Sequence, residues 1–141
     1  MITLLFLTAC VDFAMKPCTE IGCVGQLVLH VTADGAPVTE FQGTIHVNGG
    51  DFDIACGSGD TGSPAYTCGS DGTVTIPLGD DQGGGDVEYN LQGSEPGDTA
   101  GFGYDGSGTV TATWSSDQPN GDECPPTCWT GEATIALDVL D

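Results

Sequence analysis

From Val24 to the end of the chain, apolar side chains recur at every second position, and no stretch sustains the 3.6-residue period of a helix. Leu27, Leu29 and Val31 alternate with Val28, His30 and Thr32, and Ile45 and Val47 with Thr44 and His46. The same pattern runs through Phe52, Ile54 and Cys56, then Val74, Ile76 and Leu78, then Val87, Tyr89 and Leu91. It ends with Val110, Ala112 and Trp114, and with Ala133, Ile135, Leu137 and Val139. Seven half-buried strands follow, with an eighth around Tyr66 to Cys68. Glycine-bearing turns punctuate them: Asp34-Gly35-Ala36-Pro37, Asn48-Gly49-Gly50, Asp71-Gly72, Gly79 to Asp86, and Asp105-Gly106. Short alternating strands so punctuated predict an all-β domain, an antiparallel β-sandwich over residues 24–141. The sharpest turn is Asn48-Gly49. A two-residue type I′ loop there sets Val47 opposite Gly50 and Ile45 opposite Phe52, keeping Ile45, Val47, Phe52 and Ile54 on one face.

Charge removes whole classes of partner. One basic residue, Lys16, stands against 21 aspartates and glutamates, a formal charge of −20. Nucleic acid is excluded, because that affinity comes from Lys and Arg neutralising phosphates. Adsorption to anionic headgroups is excluded too, since it needs a polybasic patch. With 23 glycines and eight prolines the chain is rich in turns but remains within the range of folded domains.

Seven cysteines are present: Cys10, Cys18, Cys23, Cys56, Cys68, Cys124 and Cys128. An odd count in an exported protein leaves one to explain. The amino terminus supplies an answer. Ile2 to Leu7 is almost wholly apolar, and Leu7-Thr8-Ala9-Cys10 follows. This motif resembles the lipobox of bacterial lipoproteins: an aliphatic residue, two small ones, then the cysteine that receives lipid. The resemblance implies cleavage before Cys10 and lipidation of its sulfur. Residues 1–9 then form a signal peptide truncated at its start, because no basic residue precedes the short apolar run. Residues 10–23 form a lipid-anchored tether to a membrane. Val11 after Cys10 implies, in lipoproteins of this kind, delivery to the outer membrane of the cell envelope.

Six cysteines remain, an even set suited to three disulfides in an oxidising compartment. Zinc is the rival, but four residues separate Cys18 from Cys23 and three separate Cys124 from Cys128, neither being the two-residue knuckle of a zinc site. Fifteen connectivities are open to six cysteines. Local pairing is expected, Cys18 with Cys23, Cys56 with Cys68 and Cys124 with Cys128, because each pair brackets a turn-rich stretch.

A strand, then Asp34-Gly35-Ala36-Pro37-Val38, then a second strand and a hairpin resembles the opening of transthyretin-like and carboxypeptidase-regulatory-like sandwich domains, over roughly residues 24–56. That resemblance refines the expected fold to a disulfide-stapled Ig-like or transthyretin-like sandwich. The segment Gln118 to Cys128 before a last strand resembles many envelope lipoproteins. These families share no catalytic residue, so neither resemblance implies a reaction or a cofactor.

Three constellations invite chemistry. His30 and His46 lie on polar strand faces and would face each other if Leu29 folded beside Val47, a two-histidine metal site. The run from Gly79 to Asp86 offers Asp80, Asp81 and Asp86 on a glycine loop for calcium, though it lacks EF-hand spacing. Phe102, Tyr104 and Trp129 could stack on a sugar, though core packing and covering of a disulfide suit them better. No nucleophile motif such as Gly-x-Ser-x-Gly occurs. The sequence therefore points to a non-enzymatic, lipid-anchored adhesion, scaffold or binding module with a protein or glycan partner and no cofactor. The alternative is a calcium- or glycan-binding module acting through the acidic loops.

Overall fold

The computed structural model describes Cys18 and residues 22–57, 62–63, 65–98 and 101–141. The segment Leu7-Thr8-Ala9-Cys10, where the lipobox resemblance falls, lies outside these. The described chain is all-β. Its strands are β1 (Gly25–Ala33), β2 (Ala36–Pro37), β3 (Glu40–Val47), β4 (Gly50–Cys56), β5 (Gly62–Ser63), β6 (Tyr66–Cys68), β7 (Thr73–Leu78), β8 (Asp86–Ser94), β9 (Tyr104–Thr111), β10 (Thr113–Asp117) and β11 (Cys128–Val139). All eight anticipated strands are present. The additions are the two-residue β2 and β5, and the division of the 109–114 strand at Ala112.

Strand order is β4-β3-β8-β9-β11-β1-β7-β6-β5, with β2 paired to β1 and β10 to β11, so the sheet curls into a nearly closed barrel. Pairing is antiparallel except at one seam. There β1 runs parallel to β11 from Gln26 opposite Thr130 to Ala33 opposite Leu137. This corrects the wholly antiparallel expectation. Parallel neighbours need a long crossover, and here the rest of the domain supplies it. Residues 22–24 therefore lead into the seam at one end of the barrel, and β11 leaves it at the other.

The alternation is realised in burial. Leu27, Leu29 and Val31 of β1 are fully enclosed, as are Val74 and Ile76 of β7, Ile45 of β3, and Val87 and Leu91 of β8. The hairpin at Asn48-Gly49 has the anticipated register, Val47 opposite Gly50 and Ile45 opposite Phe52. Both turn residues have positive φ, 50° and 76°, as a type I′ turn requires. Asp34-Gly35 repeats this geometry, joining β1 to β2 with φ of 48° and 77°. Within β3, Gly43 has φ 147°, and a Cβ there would fall on the Asn90 carbonyl of β8. Only glycine lets these two backbones approach so closely.

The division at Ala112 has a plain cause. β9 pairs with β8 along its length and with β11 only at Tyr104 and Asp105, whereas β10 pairs with the opening residues of β11. One continuous segment thus passes from one side of the barrel to the other, and Ala112 is buried at the crossing.

Candidate functional site

The most elaborated region is the end where the chain enters. Two of the three disulfides join the entering segment to the start of β11 and the loop before it: Cys18 to Cys124 in that loop and Cys23 to Cys128, the first residue of β11, with Cα atoms 5.5 and 5.8 Å apart. This corrects the local pairing of those four cysteines. The physical reason is the parallel seam. It brings the residues just before β1 beside those just before β11, so partners about a hundred positions apart become neighbours. Cys56 pairs with Cys68 as anticipated, tying the end of β4 to β6 across 12 positions.

Around this double cross-link the acidic glycine loop between β7 and β8 folds back onto the protein. Asp81, at φ 58°, donates its backbone N–H to the Thr127 carbonyl at 3.2 Å, and its carboxylate accepts the Thr127 N–H at 3.1 Å. Asp86 accepts from the Thr111 hydroxyl at 2.9 Å. The Trp129 ring lies directly against Gly83, and the Trp114 indole N–H donates to the Gly85 carbonyl at 3.1 Å while its ring covers Gly131. Gly83 and Gly131 thus leave room for two tryptophans that pin the loop. Two of the three loop carboxylates are aimed at protein donors. Among the described residues, no group of three His, Cys, Asp or Glu side chains is gathered to hold a metal ion.

The histidines do not meet. β1 and β3 are not neighbours, since β3 pairs with β4 and β8 while β1 pairs with β2, β7 and β11. His30 instead contacts Glu132 on β11, Nε2 to Oε1 2.8 Å. His46 contacts Asp51 on β4, Nδ1 to Oδ1 2.6 Å. The hydrogen bond to Asp51 is the main reason the His46 imidazole holds its proton above its ordinary 6.5, with the Asp51 and Glu88 charges adding to it. His46 stands in one cross-strand row with Asp51 and Glu88, and these three help line a shallow hollow of about 290 Å³ with Thr44, Tyr89 and Asn90. The row lies on an open, water-facing sheet. A carboxylate or imidazole there gains none of the low-dielectric amplification that catalytic sites exploit.

Nor do the three aromatics converge. Trp129 stands at the entry end of β11, next to Cys128, where it covers the cross-linked loop. Tyr104 pairs with Val139 at the opposite end of that strand, and its hydroxyl donates to Glu95. Ten residues of extended strand, roughly 33 Å, separate the two sites. Phe102, half-exposed, lies near Tyr104 with the exposed Val139 and Leu140 at the far tip.

Two roles escape the sequence reading: Asp81 as a bracket for Thr127, and the tryptophans as pins. The only local signal is small residues, Gly83 and Gly131, placed where an indole must lie flat. Comparison with family models, with curated proteins and with solved structures finds no match.

Proposed function

We propose that this chain is a non-enzymatic, lipid-anchored module of the bacterial cell envelope, tethered through Cys10 and serving as a scaffold, adhesion or binding unit. At finer grain we read the barrel as a disulfide-stapled, transthyretin-like and Ig-like sandwich. That reading is supported by the Asp34-Gly35 turn closing the first strand and by the alternating inner and outer faces of β3 and β4.

The observation that carries the proposal is the cysteine accounting. Cys18, Cys23, Cys56, Cys68, Cys124 and Cys128 are all consumed in three disulfides within the domain. The seventh cysteine of the sequence is Cys10, the one that closes the Leu7-Thr8-Ala9 motif. A disulfide-stapled domain suits an oxidising envelope compartment. Val11 directs the anchor to the outer membrane. We read the module as one that acts by being held in place and touched, a reading in keeping with the open, water-facing strand face that carries His46, Asp51 and Glu88.

The test is expression of the full gene product in a bacterium, with and without Cys10→Ser, followed by fractionation and metabolic labelling with a fatty acid. The wild type should be membrane-bound, labelled and shortened by signal cleavage. The variant should be unlabelled and uncleaved. Normal processing and membrane retention of Cys10→Ser would refute the anchor.

A further inference from the structure

We propose that Cys18–Cys124 and Cys23–Cys128 form a redundant tension lock, which takes the body of the domain out of the load path when the chain is pulled by its ends. The inference rests on connectivity. Pull on the entering segment, and force reaches Cys18 and Cys23 before it reaches β1. Both cysteines are joined to the segment that opens β11, across sequence separations of 106 and 105. Force therefore crosses the disulfides and runs along β11 to Val139, where the strand ends. Everything from Val24 to Glu123 hangs from this path as an unloaded loop.

The path has almost no slack. β11 spans Cys128–Val139 as extended strand, at about 3.3 Å per residue against a limit near 3.6 Å. Straightening its 12 residues adds only about 4 Å. Tension lowers a barrier in proportion to the length gained, so force along this axis performs almost no work on the fold. Without the cross-links, the same pull shears β1 against the parallel β11 and then unravels the intervening chain, about 370 Å of it at ~3.6 Å per residue. Either disulfide alone closes the path, and that is the redundancy. The lock follows from the cross-links whether or not Cys10 carries lipid. The anchor would supply a source of tension, and reduction would be the release.

Single-molecule stretching of the full chain, with a handle on each terminus, tests this. Oxidised wild type should show no domain-sized step, only elongation of the segments outside the lock. Adding a reductant under constant load should release about 370 Å. Cys18→Ser/Cys124→Ser and Cys23→Ser/Cys128→Ser should each stay locked. Changing all four should give a step of about 330 Å, shorter because Cys56–Cys68 still shields its 12 positions. If the fourfold variant fails to fold, the reductant arm on wild type decides. A step of hundreds of ångströms in oxidised wild type, or in either doubly substituted protein, overturns the lock. So does the lack of a long step after reduction.

Discussion

Individual side chains at the entry end are committed to holding chain, and the clearest case is Asp81. Its carboxylate accepts the Thr127 N–H while its own N–H is given to the Thr127 carbonyl, so a residue whose composition suggests a cation ligand works as a bracket. His46 makes the complementary point on the other side of the barrel. Asp51 accepts from its ring and Glu88 stands across from it, and both favour the imidazolium. The sign is that of a raised histidine. The pair's contribution is complete below about 6.5, the ordinary histidine value, and fades as pH rises through the folded midpoint. An NMR titration should place the His46 midpoint above 6.5. Asp51→Asn should move it downward, and Glu88→Gln should do so by less. A midpoint unmoved by Asp51→Asn would remove the hydrogen bond as its cause.

Among the elements, the seam between β1 and β11 organises the most. Its parallel register places the starts of both strands together, and that placement makes the two long-range disulfides possible. Their stabilising effects should not add equally. With one cross-link intact, the other closes a ring of only 11 residues, 18–23 and 124–128, so losing it should cost about 2–3 kcal/mol by chain entropy. Losing the second opens a loop of more than a hundred residues and should cost about 4–5 kcal/mol. Denaturant unfolding of the two doubly substituted proteins and the fourfold variant checks this. Two equal losses would show that native-state strain or residual unfolded structure governs the cross-links instead. Cys56–Cys68 is independent of the pair, since it ties β4 to β6 on the far side of the barrel.

For the whole molecule, charge is the governing quantity. With a formal −20 on 141 residues and one lysine, compaction crowds like charges, many within a Debye length of about 10 Å at 0.1 M salt. Self-repulsion opposes the folded state and is screened as salt rises. Thermal melts should therefore rise by about 5 °C between very low salt and 0.15 M NaCl, the effect of about 1 kcal/mol in a domain of this size. Calcium and magnesium at matched concentration should act alike, because Asp81 and Asp86 already serve protein donors. A saturable calcium-only increment, abolished by Asp80→Asn with Asp81→Asn, would instead establish a site on that loop.

What the amino-acid order determined by itself is local. Alternation marked the strands because a side chain's face is set by its parity along the strand, and Asn48-Gly49 fixed its own register because positive φ at both positions leaves one tight hairpin. The seven cysteines were legible in the same way, as a count that needs no geometry, and six of them pair in disulfides. What tertiary structure decided is non-local. Residues that bracket a turn are close in sequence, but a disulfide joins what is close in space. The parallel seam put Cys18 beside Cys124 and Cys23 beside Cys128 through contacts that no window of sequence contains. The same holds for the histidines, separated because β1 and β3 are not neighbours, and for the Ala112 crossing, where a single alternating run serves both sides of the barrel. Parity and turn chemistry are properties of a few adjacent residues, whereas adjacency between distant strands follows from how the entire apolar surface is enclosed at once.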